Sequence, residues 1–483
     1  MTHKIQTYLF LATLLALVIS CRDMNEISTS SDARLNFSTD TIQFDTVFIN
    51  IGSTTQQFKI YNNNKDAVKT TISLGDINSL HYRLNIDGQP TNKVNDYEIR
   101  GNDSLYVFVE VTINPADPNS PLVVEDSIMF YTNGNTQNIK LVAYGQDVHL
   151  YKDSVVDTRT WIADKPYLIY NSILVDSAET LTIEEGAKIY FHNNSALYVQ
   201  GTIDVEGSSE NPVVFQGDRL DEYYKDLPGQ WWGSIENENG TNYTGCIHFW
   251  PGSKNNIINH AIIKNGVIGI FVYNYEENNY ISLTLRNSVI HNMSSMGIWS
   301  QFSNIIVENS VISNCKYYNV VHAYGGHAEF YQTTIGNYYP HETRNDPSLI
   351  LTNFFESENG KVINNYSAKF VNSIVYGSLD NEVAINYASD PTKEFYLEFD
   401  HCMLKLDKDF DTSNEDIFKD IIRDEFSKPN FMDVYNGDFR LDTLSAAKDA
   451  GTTQYIDLFP IDMDGNNRLL DGLPDLGAYE RIE

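Results

Sequence analysis

A six-residue phrase recurs four times in the middle of the chain and constrains its fold more than any other feature. Every copy ends in asparagine, and the asparagines of successive copies are 27, 22 and 23 residues apart. This spacing is the length of one coil of a β-solenoid rather than of a two-helix repeat. The repeat therefore predicts a solenoid built from short parallel strands. The copies are His260-Ala-Ile-Ile-Lys-Asn265, Asn287-Ser-Val-Ile-His-Asn292, Asn309-Ser-Val-Ile-Ser-Asn314 and Gln332-Thr-Thr-Ile-Gly-Asn337, with weaker copies at Asn372-Ser-Ile-Val-Tyr-Gly377 and Asp400-His-Cys-Met-Leu-Lys405.

The recurring asparagine indicates a turn at the end of each short β-branched run. Asparagine tolerates the left-handed backbone region that such turns use, and its amides can stack from coil to coil as a ladder. We predict that Asn292 and Asn314 are buried at successive turns, with their amides bonded to one another or to the backbone.

Alternation within the coils divides the side chains between core and solvent. Alignment of the copies predicts two inward columns, which contain Leu285, Val307, Phe330 and Phe370, and Leu283, Ile305 and Ala328. It predicts two outward columns, which contain Arg286, Glu308 and Tyr331, and Thr284, Ile306, Glu329 and Lys369. Since adjacent coils lie about 4.8 Å apart, Arg286 and Glu308 are expected to form an exposed ion pair.

Composition excludes several classes of partner. The 483 residues carry 65 acids against 33 bases, a net charge of −32, so nucleic acid and anionic lipid are repelled. Frequent Asn, Thr, Tyr, Ile and Val with Gly punctuation indicates an all-β protein. Calcium, basic surfaces and neutral glycans remain compatible partners.

The N-terminus has the pattern of a secretory signal. Lys4 precedes an apolar run over residues 8–19, which is too short to span a bilayer, and Cys21 follows. The stretch Leu17-Val-Ile-Ser-Cys21 resembles a bacterial lipobox, which implies a signal peptide over 1–20 and lipidation of Cys21. The polar residues 21–34 are expected to be a tether, and the early acids resemble the surface-export signal of Bacteroidetes lipoproteins. The resemblance places the protein on the outer membrane, lipid-anchored and exposed at the cell surface.

The other cysteines, Cys246, Cys315 and Cys402, are odd in number and far apart in sequence. This spacing argues against a disulfide or metal framework. Cys402 takes the place of a Val or Ile in the phrase, so it is expected to be a small core residue.

Short alternating runs separated by turn residues fill 35–149. The runs at 41–48, 57–61, 104–112, 126–131 and 139–144 predict an antiparallel sandwich of about seven strands. The block resembles the immunoglobulin-like domains of ciliary and Bacteroidetes surface proteins, which implies a spacer or interaction module.

Residues 150–405 are predicted to form the solenoid, with the first coil near Trp161. The segments from Leu181-Thr-Ile-Glu-Glu-Gly186 to Trp232-Gly-Ser-Ile235 closely resemble the opening coils of right-handed parallel β-helix proteins of the pectate-lyase-like superfamily. The resemblance implies a right-handed parallel β-helix and says little about activity.

Residues 406–483 are predicted to be a C-terminal cap over the last coil, whose strand edges need cover. A short helix is expected over 412–426 from its N-cap residue and apolar spacing. The rest resembles the closing segment of bacterial surface β-helix proteins. Asp462, Asp464 and Asp475 there suit calcium, and turn-forming hydrogen bonds explain them equally well.

Two interruptions of the coil length, over 217–230 and 338–368, are the places where a solenoid usually builds a binding surface. In the first, Tyr223, Tyr224 and Trp231 with Asp221 are candidate ligand-binding residues, because aromatic faces bind sugar rings and the acid bonds hydroxyls. Packing within the loop is the alternative explanation. His322, His327 and Glu329 suit a metal or acid and base role, but solvated polar residues on a sheet explain them more simply.

These observations favour a lipid-anchored envelope protein whose β-helix presents a surface for glycan without catalysis. The alternatives are a polysaccharide lyase or glycoside hydrolase on the same scaffold and an adhesin-like spacer. Glycoside cleavage requires two acids on one face, and the coils contain no column of paired aspartates, so no catalytic residue is assigned. We predict no metal site and no cofactor, with calcium left open.

Overall fold

The computed structural model describes residues 26–48, 52–53, 55–113, 122–231, 233–236, 242–245, 247–275, 279–358, 360–423 and 426–482. The chain separates into two compact units, Met1–Asp147 and Val148–Glu483. No α-helix occurs among these described residues, so the predicted all-β class is confirmed. None of these described residues forms a helix that is long and apolar enough to cross a membrane.

The first unit is a sandwich of two five-stranded sheets that enclose one core. All pairs are antiparallel except the pair of β2 with β10, which is parallel. Alternation located five of these strands, whereas shorter ones such as β5 were missed. In spatial order, one sheet contains β1 Asn36–Phe37, β3 Gln56–Asn62, β8 Asp103–Val111, β5 Tyr82–Ile86 and β6 Gln89–Pro90, and the other contains β2 Thr41–Phe48, β10 Asn135–Gln146, β9 Leu122–Thr132, β4 Val68–Leu74 and β7 Lys93–Ile99.

The second unit is a parallel β-helix, in which 25 strands form one hydrogen-bonded system. Its strands stack on three faces, which we name sheets A, B and C, and the chain visits them in the repeating order C, A, B. Sheet A contains β12 Arg159–Trp161, β14 Thr180–Glu184, β17 Thr202–Glu206, β22 Asn256–Asn259, β25 Leu283–Arg286, the second parts of β27 Met296–Glu308 and β29 Tyr318–Tyr331, β34 Tyr366–Val371, β37 Phe395–Asp400 and β39 Phe418–Lys419.

Sheets B and C complete each coil, and the predicted β-helix is therefore confirmed. Its first strand begins at His149, before Trp161. Sheet B contains the first parts of β11 His149–Val156 and β13 Tyr167–Val175, then β15 Lys188–Phe191, β18 Val213–Gly217, β23 Ala261–Lys264, β26 Val289–His291, β28 Val311–Ser313, β30 Thr334–Asn337, β35 Ile374–Gly377 and β38 Met403–Leu404. Sheet C contains the second parts of β11 and β13, then β16 Leu197–Val199, β21 Ile247–Phe249, β24 Ile268–Tyr273, the first parts of β27 and β29, β31 Leu349–Thr352 and β36 Val383–Asn386.

Three short hairpins lie outside these faces. They pair β19 Gly233–Glu236 with β20 Asn242–Gly245, β32 Phe354–Ser357 with β33 Gly360–Ile363, and β40 Phe431–Asp433 with β41 Asp438–Leu441. The first hairpin follows the interruption at 217–230, and the second lies inside the interruption at 338–368. The first interruption is therefore an insertion between sheets B and C, whereas the second contains β31 of sheet C with an added loop on each side.

The predicted inward columns fill the solenoid core. Leu285, Val307, Phe330 and Phe370 are paired strand to strand and are fully buried. The phenylalanine rings continue the column as a stack, with centroids 4.5 Å apart for Phe330 and Phe370 and 4.8 Å apart for Phe370 and Phe399. The core therefore repeats with the coil.

The predicted asparagine ladder is confirmed between sheets B and C. Asn292 Nδ2 donates to Asn265 Oδ1 at 2.9 Å, and both residues have left-handed φ values, 59° and 65°. Asn314, with φ of 51°, is fully buried and donates instead to the backbone oxygen of Val434 at 2.7 Å. The side-chain amide at each of these two buried turns therefore has a hydrogen-bond acceptor.

A second ladder, which we did not predict, runs along the corner between sheets A and B. Asn287 donates to Asn259, and Asn309 donates to Asn287, at 2.8 Å each. The first residue of every phrase adopts a left-handed φ of 48° to 50° at this corner. The residues are His260, Asn287, Asn309, Gln332, Asn372 and His401.

The position of His401 corrects the last copy of the phrase. Ile374 pairs with Met403, so the copy begins at His401 rather than Asp400. Cys402 then belongs to the column of Ser288, Ser310, Thr333 and Ser373, whose buried hydroxyls donate to the backbone oxygen two residues earlier. Its Sγ makes the same contact with Asp400, at 3.4 Å. The thiol is therefore a buried substitute for a serine hydroxyl.

The buried thiols Cys315 and Cys402 are unpaired in the described part of the chain. Burial raises the pKa of each to about 12, so neither is a reactive thiolate. Cys246 lies outside the described residues.

The helix predicted over 412–426 is wrong for the described residues of that range. Asn414 begins a single turn, since its backbone oxygen accepts from Ile417 and Phe418, and Phe418 then joins β39. Its ring stacks on Phe399 with a centroid distance of 5.7 Å. Packing against the coil thus overrides the local helical spacing.

The C-terminal region divides into two parts with different positions. Leu406, Phe410, Phe418 and Ile421 pack on the core at the last coil. The segment 426–482 instead runs along the outer face of sheet B, where Phe439 and Ala478 pack on Val311. We name this part the covering segment, because it buries the side of the solenoid rather than its end.

Candidate functional site

The outer face of sheet A carries the predicted outward columns. Arg286 lies opposite Glu308, which lies opposite Tyr331, and Ile306 lies opposite Glu329, which is followed by Lys369. The predicted columns are therefore confirmed, with Tyr331 buried at 8% exposure. Its ring is covered by Phe459 of the covering segment, 5.0 Å away between centroids.

The carboxyl of Glu308 lies between a cation and a low-polarity environment. Arg286 Nε is 3.5 Å from Glu308 Oε2, so the predicted ion pair is confirmed. Burial raises the pKa of the Glu308 carboxyl, the Arg286 guanidinium opposes that rise and the nearby Glu329 charge adds to it. Glu308 is therefore a carboxyl that holds its proton to higher pH than an exposed glutamate.

The carboxyl of Glu329 has the opposite environment. His327 Nε2 lies 3.1 Å from Glu329 Oε1, and this hydrogen bond lowers the pKa of the Glu329 carboxyl, with Tyr331 acting in the same direction. With strands about 4.8 Å apart and a rise of about 3.3 Å per residue, the Cα atoms of Glu308 and Glu329 are roughly 8 Å apart. The face thus brings together two carboxyl groups whose pKa values are shifted in opposite directions.

A cavity of about 390 Å³ lies beside Glu308 at the corner between sheets A and B. Its floor contains Arg286 and Glu308, and the covering segment forms the opposite wall through residues 458–463 and Gly465. Burial lowers the pKa of His260, which keeps that imidazole neutral near pH 7. The other lining residues are Ser209, Asn287 and Asn309.

Charged groups continue along sheet A beyond Glu329. Glu398 Oε1 lies 3.7 Å from Lys369 Nζ, and Glu398 Oε2 lies 3.3 Å from Lys419 Nζ. Tyr455 of the covering segment accepts a hydrogen bond from Lys369. Each cation here is matched by an acid, so the face has no unpaired positive group among these residues.

One group in the described part of the chain has the spacing of metal ligands. Asp400, His401 and Asp420 offer one atom each, all within 4.8 Å of one another. His401 Nδ1 already bonds Asp400 Oδ1 at 2.7 Å, so an internal hydrogen bond accounts for this pair.

Two of the three acids that the sequence suggested for calcium, Asp462 and Asp475, accept hydrogen bonds from backbone groups. Asp462 accepts from the backbone N–H of Asn466 and of Glu480, at 2.7 Å each. Asp475 accepts from the backbone N–H of Asp449 and of Arg481, also at 2.7 Å each. The turn-forming explanation therefore accounts for both carboxylates.

The first interruption separates the predicted ligand residues. Trp231 is fully buried, stacks on Phe191 at 4.0 Å between centroids and donates from Nε1 to Lys264 O at 2.8 Å. It therefore cannot offer a face to a sugar, and that prediction is wrong for Trp231. Trp232 lies outside the described residues.

The other residues of that interruption stay at the surface. Tyr223 and Tyr224 are 77% and 37% exposed and meet edge to face, 4.7 Å apart between centroids. Asp221 Oδ2 accepts from Arg219 Nε at 3.0 Å, and the same guanidinium lies 3.6 Å from the Tyr224 ring centroid. Tyr223, Tyr224 and Asp221 therefore lie together at the surface, with Arg219 as a neighbour that we did not predict.

The histidine group of the sequence also separates. His322 is fully buried within the solenoid, with Nδ1 3.2 Å from Ser300 Oγ, and burial lowers its pKa to about 3. Only His327, Glu329 and Tyr331 share the outer face. Our alignment placed Glu308 and Glu329 on this face but did not pair them, because they occupy diagonal positions in neighbouring columns.

Comparisons with known proteins give weak similarities. No family model matches the chain, and no curated protein matches it. Among solved structures, the Agl-KA catalytic domain is 11% identical over 72% of this chain and 80% of that chain, with a TM-score of 0.22. The catalytic unit of the GH87 α-1,3-glucanase from Streptomyces thermodiastaticus strain HF3-3 is 8% identical over 72% of each chain, also at 0.22.

A family 123 glycoside hydrolase from Clostridium perfringens is 10% identical over 24% of this chain and 26% of that chain, with a TM-score of 0.19. The match thus spans about a quarter of that enzyme. Similarities at these scores do not assign a function, so the geometry of sheet A must carry any assignment.

Proposed function

We propose that this protein is a glycoside hydrolase whose catalytic carboxyl groups are Glu308 and Glu329. The observation that carries the proposal is their placement on the outer face of adjacent coils, with Glu308 lining a cavity. Glycosidases cleave with two acids whose carboxyl groups are roughly 5 to 10 Å apart, and a Cα separation of about 8 Å allows that range. The hydrolase alternative thus replaces the non-catalytic interpretation as the leading one.

The chemistry follows from the two environments. Glu308 is the general acid, because its raised pKa keeps a proton available for the oxygen of the departing sugar. Glu329 is the ionised partner, because hydrogen bonds from His327 and Tyr331 favour its carboxylate. It activates water or attacks the anomeric carbon, and the stereochemistry of the product distinguishes the two routes.

The experiment compares Glu308→Gln, Glu329→Gln and Glu206→Gln on a panel of neutral polysaccharides. Glu206 is an exposed acid in the Glu308 column, further along sheet A, and serves as the matched control. We expect the first two variants to lose about 10²- to 10⁴-fold of the rate at which new reducing ends form, with the control unchanged.

Two outcomes would overturn the hydrolase. Binding of glycan without new ends by the wild type would return the protein to a non-catalytic glycan-binding role. New unsaturated ends would assign it to the lyases.

We propose further that a lipid on Cys21 holds the protein on the outer membrane at the cell surface. The support is the lipobox-like stretch before Cys21, which lies outside the described residues, and the sandwich would then act as an immunoglobulin-like spacer. Replacing the cysteine, Cys21→Ala, should move the protein from the membrane fraction to the soluble fraction. A wild-type protein that is already soluble after fractionation would contradict the anchor.

A further inference from the structure

Three aromatic rings meet where the chain passes from sheet C to sheet A. Phe302 and Tyr324 occupy this corner in successive coils, with ring centroids 5.8 Å apart. Phe355 of the β32–β33 hairpin lies 5.7 Å from the first ring and 5.5 Å from the second. All three residues are partly exposed.

The backbone at this corner holds two of the rings in an unusual conformation. Phe302 and Tyr324 have left-handed φ values of 50° and 71°, which bulky residues rarely adopt. Asparagine, histidine or glutamine fills the left-handed position at the corner between sheets A and B, so the aromatic residues here are a departure from the pattern. Such departures are concentrated at ligand sites, where surrounding structure maintains them.

The surrounding structure does maintain them. Gln301 pairs with Ala323 and Ser303 with Gly326, so Tyr324 and Gly325 together oppose Phe302 in a bulge, a device that redirects side chains. Asn364 Nδ2 donates to the backbone oxygen of Tyr324 at 2.6 Å. A Cβ atom on Gly325, whose φ is 124°, would lie 2.7 Å from Asn364 Cβ.

The same strands connect the rings to the carboxyl pair. Glu308 follows Phe302 by six positions along β27, a distance of about 20 Å at a rise of about 3.3 Å per residue. Ile306 and His327 are partly exposed along this path, and Asn304 is buried beside them with its amide bonded to backbone groups. The distance suits an extended chain of several sugar units.

The charges along the path favour a neutral chain. Arg286, His327 and Lys369 are each paired with an acid, and the protein carries a net charge of −32. A polyuronate would therefore meet repulsion that no unpaired cation in these pairs offsets.

We propose that Phe302, Tyr324 and Phe355 form a distal subsite for a neutral polysaccharide whose chain runs along sheet A to Glu308 and Glu329. This inference rests on the proposed function. Aromatic faces remove water from the apolar face of a sugar ring and leave its hydroxyl groups free for polar partners. The subsite would make the enzyme prefer long chains to short ones.

The test measures binding in a Glu308→Gln background, where the ligand is not consumed. Phe302→Asn and Tyr324→Asn remove a ring but keep a residue that tolerates the left-handed region, and Phe355→Ala removes the third ring. Tyr435→Ala, an aromatic residue that is 65% exposed on the covering segment, is the control. The probes are neutral gluco- and manno-oligosaccharides of increasing length, with polygalacturonate as the charged comparison.

We expect each ring variant to raise Kd about tenfold for the longest neutral oligosaccharides and to leave the shortest that bind unchanged. Phe302→Tyr should restore the affinity, and thermal midpoints should show that the variants fold. Unchanged Kd for every length, tighter binding of polygalacturonate, or no binding of any neutral glycan by the parent would each overturn the subsite. Ring-dependent binding together with no cleavage by the wild-type protein would keep the subsite and overturn only the hydrolase.

Discussion

The outer faces of sheets A and B are built from the same coils, yet the face of sheet A is charged and the face of sheet B is apolar. Sheet A turns Arg286, Glu308 and Glu329 outward, whereas sheet B turns Val311 and Ile374 outward. The apolar face is buried beneath the covering segment, and the charged face keeps a cavity at its edge. One parallel backbone can therefore make a site or an internal interface, and the residues in its outward columns decide which.

The two faces hold their charges in different ways. Arg468 of the covering segment is fully buried and donates to Glu480 at 3.1 Å and to Asn309 at 2.6 Å. Arg286 on sheet A is paired at 3.5 Å, and its side chain is 40% exposed. Removing one partner of a buried pair leaves an uncompensated charge, which exposed pairs avoid.

The largest expected effect is that of Arg468→Ala. It should lower the free energy of unfolding by about 3 to 5 kcal/mol, whereas Arg286→Ala should cost less than about 1 kcal/mol. Urea unfolding followed by tryptophan fluorescence measures the solenoid unit alone, because all five tryptophans lie between residues 161 and 299. Equal losses in the two variants would remove the proposed difference between the faces.

A smaller effect is expected at Asn314, whose turn between sheets B and C contacts the covering segment. Asn314→Leu leaves the backbone groups of Val434 and Tyr338 without their side-chain partner and should cost about 1 to 3 kcal/mol. Asn194 has a similar φ, 62°, at the corresponding exposed turn of an early coil, so Asn194→Leu measures the strain alone. The difference between the two urea midpoints isolates the amide bonds, and no difference would show that they add nothing.

The smallest effect concerns the pH dependence of the proposed hydrolysis. Activity requires protonated Glu308 and ionised Glu329, so the profile should be bell-shaped. The Arg286 charge lowers the pKa of Glu308, so Arg286→Gln should move the basic limb to higher pH. The His327 hydrogen bond lowers the pKa of Glu329, so His327→Gln should move the acidic limb to higher pH.

Initial rates across the pH range measure both limbs, and each variant is the control for the other. A shift of the same limb in both variants would contradict the assignment of acid and base.

The sequence was sufficient for the core columns and for the asparagine ladder between sheets B and C, but not for the second ladder between sheets A and B. Leu285 and Val307 could be placed in one column because each coil presents the same environment, and the left-handed turns follow from the recurring asparagine. The prediction of a helix over 412–426 was wrong because Phe418 stacks on Phe399, a contact that the local spacing of apolar residues does not indicate. The prediction that Trp231 binds a ligand was wrong because an aromatic residue beside a loop has the same local sequence pattern whether it is buried or exposed.

The candidate site depends partly on contacts that do not repeat from coil to coil, so alignment of the coils predicted only some of its residues. Lys369 and Tyr455 are 86 residues apart in the chain, and no repeat relates them. Phe302 and Tyr324 occupy left-handed positions that bulky residues rarely adopt, so propensity argues against their conformation.

The covering segment also bears on how the chain matures. Asn309 contacts Ile461 and Arg468, which follow it by 152 and 159 residues, so the apolar strip of sheet B reaches the compartment in which the chain folds well before its cover. During that interval the nascent solenoid displays Val311, Ile374 and Met403 to any other unfinished chain, a state prone to aggregation. A chain that terminates before Phe439 would leave this apolar strip permanently exposed.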